Sequence, residues 1–259
     1  MRIAIIGGSG VEGLYDEQDL RVERVETRYG EAQVYILPVG DREVVFLPRH
    51  NKGHDLPPHR INYRANILAL QKLGCTNVIS TNAVGGLHLT TQPGEFVIIN
   101  QFLDFTRGRD LTFYDGEDGQ VRHVDMTEPY CPRLRDLLAD AGEAEGLGAR
   151  IHTTGTYVCC EGPRFETPAE IRMFVQLGGD VVGMTGIPEA ILAREAGLCY
   201  ASICIVTNWA AGLKSSLLAH TEFMQVMDEV GDDLRSLLRH AIANLVEDPD
   251  CPCRNPFID

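Results

Sequence analysis

Short apolar runs alternate with segments of helical period along nearly the whole chain. Arg2 to Ile6, Val44 to Leu47, Asn77 to Ser80 and Phe96 to Ile99 read as strands, as do Thr154 to Cys160, Val181 to Met184 and Tyr200 to Thr207. Their apolar residues run on without polar alternation, which suits strands covered by helices on both faces. Tyr63 to Leu73, Arg133 to Ala144, Pro168 to Leu177, Pro188 to Ala196 and Thr221 to Leu245 have helical spacing. This order predicts a single α/β domain with a central, mostly parallel mixed sheet flanked by helices. The domain is expected over residues 1–247, followed by an irregular tail over 248–259. Asp104 to Met126, punctuated by Gly108, Gly116 and Gly119, reads as a long loop. Loops of that length usually serve a function or an interface.

Charge excludes some partners. The 259 residues carry a formal net charge of -14. An acidic surface repels nucleic-acid phosphates, so no DNA or RNA face is expected, and an anionic substrate needs its own positive site. No apolar run approaches the roughly 20 residues of a membrane span, so no membrane partner is expected. The run Ile3-Ala4-Ile5-Ile6 is too short for a signal-peptide core, and the expected location is the cytoplasm. The eight cysteines do not show the paired CxxC spacing of zinc sites. Most read as small buried hydrophobes. For Cys251-Pro252-Cys253 a disulfide is the alternative.

Ligands of open α/β sheets bind beyond the carboxyl ends of the strands, and five strand ends here are polar or glycine-rich. Gly7-Gly8-Ser9-Gly10 suits backbone N–H groups approaching an anion, with Ser9 adding a hydroxyl; a tight turn explains it equally well. It has neither P-loop nor GxGxxG spacing, which argues against a dinucleotide-binding oxidoreductase. Arg49-His50 offers a guanidinium fork that can hold phosphate bidentately, with an imidazole donor beside it. As an isolated feature it is better read as surface charge answering some of the many acids. Thr81-Asn82-Ala83-Val84-Gly85-Gly86 suits backbone recognition, and Val182-Gly183-Met184-Thr185 ends in a hydroxyl. Val206-Thr207-Asn208-Trp209-Ala210-Ala211-Gly212 presents an amide that can read a heterocycle edge. In Phe165-Glu166-Thr167-Pro168-Ala169-Glu170, Thr167 caps a helix begun by Pro168, with Glu170 closing a capping box.

Taken in order, IIGGSG, PRHNKGH, TNAVGG, EGPRFETPAEIRM, GMTGIPEAILARE and VTNWAAG resemble the trimeric purine nucleoside phosphorylase and methylthioadenosine phosphorylase family over Arg2 to Leu245. The resemblance implies the nucleoside phosphorylase fold. It also implies phosphorolysis: phosphate attacks C1′ of a nucleoside, releasing the base and ribose-1-phosphate or its 5-methylthio analogue, in purine salvage. It assigns phosphate to Ser9, Arg49, His50, Thr185 and the backbone N–H of Ala83. It assigns the nucleoside to Phe165 and Met184, and the purine to Glu166 and Asn208. His220 would meet a 5′-hydroxyl, whereas Thr221 and Met224 would line a methylthio pocket; the 5′ substituent stays open. No metal or organic cofactor is implied, phosphate being a co-substrate. The assembly implied is a homotrimer or a dimer of trimers. Methylthioadenosine phosphorylases of the family typically carry Asp where Asn208 and Ala210 stand. With Glu166, the pair Asn208 and Ala210 resembles enzymes for 6-oxopurines, closest to the methylthioinosine phosphorylases. A methylthioadenosine phosphorylase is the alternative.

Overall fold

Helices lie on both faces of a large sheet, as the unbroken apolar strands require. A computed structural model of the chain describes residues 2–7, 20–51, 53, 55–116, 119, 121–214 and 220–258, with the backbone alone at 220–222. In chain order the strands are β1 (Arg2–Gly7), β2 (Arg21–Thr27), β3 (Gly30–Val39), β4 (Arg42–Pro48), β5 (Cys75–Gly86), β6 (Phe96–Ile98) and β7 (Gln101–Phe105). They continue with β8 (His123–Val124), β9 (Ile151–His152), β10 (Thr156–Cys160), β11 (Val181–Gly183), β12 (Cys199–Trp209) and β13 (Phe257–Ile258). The helices are α1 (Tyr63–Lys72), α2 (Pro132–Ala144), α3 (Pro168–Gln176), α4 (Gly186–Glu195) and α5 (His220–Asn244).

Successive strand residues point to opposite faces, and each face meets its own core. Ile3 and Ile5 of β1, Val44 and Phe46 of β4, and Ala201 and Ile203 of β12 pack with α2 and α5. Ala4, Ile6, Val45, Leu47, Tyr200 and Cys204 face the other way, toward α1 and α4. A third, smaller cluster sets Ile171 and Phe174 of α3 on Val158 and Val182. Among the described residues, no helix is long and apolar enough to cross a membrane.

The spine of the sheet is β5. On one edge it pairs in parallel with β12 from Asn77 to Gly86. On the other edge it has two partners in succession: β1 runs parallel to it as far as Ser80, and β11 joins it antiparallel at Gly85 and Gly86. Among the described residues no strand covers that edge between Thr81 and Val84. The sheet is therefore split there, and the functional site lies in the split.

Several expectations need correction. TNAVGG does not follow the strand as a turn: it forms the last six residues of β5, which ends at Gly86. Asn208 likewise lies inside β12, just after a register shift between Val206 and Asn208. The hairpin of β2 and β3 follows no apolar alternation strong enough to read from sequence, since β2 is largely exposed. The loop expected over Asp104 to Met126 begins with the last residues of β7 and contains β8. The tail is not irregular: it makes a short 3-10 turn at Pro252–Arg254, and β13 then pairs with β8.

The capping box at α3 is present in both directions. The Glu170 N–H donates to Thr167 Oγ1 at 3.2 Å, and the Thr167 N–H donates to Glu170 Oε2 at 2.7 Å. Removing the cap with Thr167→Ala should cost about 1 kcal/mol, read as a lower urea midpoint at unchanged m-value.

Candidate active site

A cavity of about 540 Å³ opens at the split in the sheet. The edge of β5 supplies Thr81, Ala83 and Gly85, and the segment after β4 supplies Arg49 and His50. Met184 and Thr185 enter from the β11–α4 junction, Phe165 and Glu166 from the loop before α3, and Asn208 from β12. Phe223 and Met224 of α5 close the far side. Nine residues assigned from the resemblance thus converge on one cavity: Arg49, His50, Ala83, Phe165, Glu166, Met184, Thr185, Asn208 and Met224. Ser9 lies outside the described residues, and so does the side chain of His220.

The anion end is organised by an ion pair that sequence reasoning missed. Arg49 is 3% exposed and Glu189, on α4, is 1% exposed. Arg49 Nε donates to Glu189 Oε1 at 2.5 Å, and Nη2 donates to Oε2 at 3.0 Å. Nη2 also donates to Ser80 Oγ at 2.8 Å, and Nη1 to the Thr81 carbonyl at 2.9 Å. A guanidinium has five N–H donors; these bonds take four. The fork is therefore held by protein, and among the described residues one Nη1–H is left without a partner. The bidentate phosphate grip expected from sequence is corrected accordingly. Burial alone would lower the Arg49 pKa, but Glu189 outweighs it and raises the value above normal. The charge is permanent and its position fixed.

Glu189 extends the network. The Tyr200 hydroxyl donates to its Oε2 at 3.0 Å, and the Ser80 hydroxyl lies 3.3 Å from the same oxygen. Asn82 Nδ2 reaches Ser80 Oγ at 3.1 Å and Ser202 Oγ at 2.7 Å. Its Oδ1 accepts from the Thr185 hydroxyl at 2.8 Å. One chain of hydrogen bonds thus links Arg49 to Thr185 across the cavity floor. The backbone N–H groups of Thr185 and Gly186 donate to the Tyr157 hydroxyl at 3.1 and 3.2 Å, so protein satisfies the start of α4. Only the motif PEAILARE carried a signal for Glu189: an acid that a helix places among apolar neighbours.

His50 is also redefined. Its Nδ1 lies 2.7 Å from the Leu56 carbonyl, which only accepts, so Nδ1 carries hydrogen. The neutral ring then presents Nε2 as an acceptor.

The opposite end of the cavity is suited to a heterocycle. Glu166 Oε1 is buried and has no hydrogen-bond partner among the described residues. Burial raises the Glu166 pKa above its ordinary 4.5, with the Cys160 thiol lying against the carboxylate. Asn208 Nδ2 donates to the Trp209 carbonyl at 3.0 Å, while Oδ1 lies 3.0 Å from Thr207 Oγ1. One Nδ2–H is left over.

The loop carrying Phe165 and Glu166 is pinned at its base. Gly162 has φ +67°, and a Cβ there would meet Met184 Sδ at 2.7 Å, so only glycine fits. Arg109, from the segment expected to be a functional loop, donates to the carbonyls of Cys160 and Glu161 at 3.2 and 2.7 Å. It also donates to the Ile187 carbonyl at 2.7 Å, tying this loop to α4. Phe165 itself stays 61% exposed at the cavity mouth.

The sequence profile of the phosphorylase superfamily matches residues 2–243. The chain is 51% identical over 259 residues to the 6-oxopurine nucleoside phosphorylase of Pyrococcus furiosus, covering 98% of this chain and 97% of that one. It is 49% identical over 258 residues to a probable S-methyl-5′-thioinosine phosphorylase of Methanothermobacter thermautotrophicus, covering 98% and 88%. In three dimensions it resembles the methylthioadenosine phosphorylase of Schistosoma mansoni in complex with adenine, with a TM-score of 0.87 at 38% identity, covering 94% of this chain and 91% of that one.

Breaking the ion pair from one side leaves a buried charge uncompensated. Glu189→Gln should lose about 3–5 kcal/mol of stability. The double variant Glu189→Gln with Arg49→Met should be more stable than that single variant. Urea denaturation of both reads the difference; a double variant less stable than Glu189→Gln would contradict this account.

Proposed function

The chain belongs to the phosphorylase superfamily, and we propose that it cleaves 6-oxopurine nucleosides with inorganic phosphate, yielding the purine base and ribose-1-phosphate or its 5-methylthio analogue. The observation that carries this reading is the unpartnered Glu166 Oε1 in the same cavity as the spare N–H of Asn208. A 6-oxopurine offers an N1–H donor, which a carboxylate accepts. An adenine N1 is an acceptor, and would face that carboxylate lone pair to lone pair. A buried site built for one hydrogen-bond pattern rejects the other by as much as about 10⁴-fold. The names of the two relatives support the same choice.

In this reading phosphate sits between the remaining Arg49 N–H, His50, the Ala83 backbone and Thr185, with Ser9 completing the set. To donate to it, the Thr185 hydroxyl turns from Asn82. The phosphate oxygen attacks C1′ as the bond to the purine breaks. Positive charge grows on the ribosyl group and is stabilised by the adjacent phosphate. Negative charge grows on the purine, where Asn208 Nδ2–H donates to N7. Arg49 contributes a fixed positive charge that needs no rearrangement during the reaction. Phe165 covers the nucleoside. Phe223 and Met224 give the α5 side an apolar lining, which favours a 5′-methylthio group, and so methylthioinosine among the 6-oxopurine substrates. The released base returns to purine salvage. Exposed Phe165, Met173 and Leu177, around α3, support assembly into a homotrimer or dimer of trimers, which light scattering of the eluted protein tests.

Phosphate-dependent base release should occur from inosine, guanosine and methylthioinosine. Release from adenosine and methylthioadenosine alone would establish the alternative, a methylthioadenosine phosphorylase. Asn208→Asp should lower 6-oxopurine kcat about 100-fold or more, by loss of the N7 donor. Glu166 must be ionised to accept N1–H, and burial raises its pKa. Activity on inosine should therefore fall on acidification at a pH above that of an ordinary glutamate. Glu166→Gln should remove that acid limb.

A further inference from the structure

Four cysteines from three distant parts of the chain meet in the core beneath α2. Cys131 precedes α2, Cys199 begins β12, and Cys251 and Cys253 flank Pro252 in the tail. All four are buried, and their sulfurs lie within 4.8 Å of one another. Cys131 Sγ and Cys251 Sγ are 3.8 Å apart. A tetrahedral zinc with Zn–S bonds of about 2.3 Å sets its sulfurs about 3.8 Å apart, whereas a disulfide needs about 2.05 Å. From this geometry we propose that Cys131, Cys199, Cys251 and Cys253 bind one structural zinc ion, which fastens the C-terminal tail to α2 and β12.

The surroundings fit such a site. The Cys131 N–H donates to the Tyr200 carbonyl at 2.8 Å, fixing the first two ligands relative to each other. The Arg254 N–H donates to the Cys251 carbonyl at 2.9 Å, closing the turn that presents the last two. Arg133, two residues beyond Cys131, has a buried Nε without a hydrogen-bond partner among the described residues. It supplies positive charge against a tetrathiolate site of net charge about -2. Zinc binding replaces the four S–H protons, which leave as H⁺, and no oxidant is needed. The site is closed, with four protein ligands and no open position, so its role is structural and separate from the phosphorolysis chemistry.

The test is metal analysis of the full-length, tag-free protein, purified without chelator or added metal. About one zinc per chain is expected, with the four cluster cysteines shielded from alkylation until a mercurial reagent displaces the metal. Cys75→Ser should keep the zinc, whereas the double variant Cys251→Ser, Cys253→Ser should lose it and expose residues 247–258 to protease. Iron in place of zinc would overturn the assignment. So would a metal-free protein, whether its four thiols alkylate freely or its mass shows the hydrogens lost to disulfides. Because the wild-type metal content decides the matter, misfolding of a variant does not rescue the proposal.

Discussion

A guanidinium and a carboxylate lie side by side in the centre of this protein, and neither is tolerable there alone. Arg49 needs Glu189 because an isolated charge at that depth costs several kcal/mol. Glu189 needs Arg49, Tyr200 and Ser80 for the same reason. Meeting these demands aligns much of the fold. α4 must approach the sheet closely enough to deliver Glu189. β1 must leave β5 at Ser80, so that the side chain of Arg49 can reach the Thr81 carbonyl where a neighbouring strand would otherwise pair. The open edge of β5 and the buried positive charge are thus one arrangement: the side chain that organises the gap also charges it.

The hydrogen-bond chain from Arg49 through Ser80 and Asn82 to Thr185 adds a second property. Each member is oriented by a neighbour, so Arg49 is held in place before any ligand arrives, while the Thr185 hydroxyl remains able to turn from Asn82. The purine end is different. Glu166 keeps one buried oxygen unpaired, and Asn208 keeps one N–H in reserve. In the proposed reaction, phosphate would meet a satisfied network, and the base an unsatisfied one. A base that fails to complete the second network leaves the cost of that buried oxygen uncompensated.

Much of this was legible in the sequence, for physical reasons. Strands buried on both faces, such as Ile3 to Ile6, must be apolar throughout, and that is visible along the chain. Arg49, Asn208 and Glu166 are polar residues within recognisable motifs, so the cavity could be assembled from them. The division of labour at Arg49 was hidden, because a guanidinium committed to protein reads the same as one committed to phosphate. Glu189 was hidden because its helix places it among apolar residues 140 positions away from its partner. β2 was hidden because an exposed edge strand need not be apolar. The cysteines showed no metal spacing because their cluster joins residues 131, 199, 251 and 253 by tertiary contact alone.

β12 begins at Cys199 and reaches Asn208 nine residues later, roughly 30 Å along an extended strand. Its first residue belongs to the sulfur cluster, and its far end places Asn208 in the cavity, where the proposed function has it read the purine. The strand therefore works as a beam with its anchorage and its working tip at opposite ends. Attachment of the tail and the proposed choice of base lie at separate addresses on one element. A lineage can strengthen or discard the anchorage without disturbing what the tip recognises, and can retune the tip without loosening the beam.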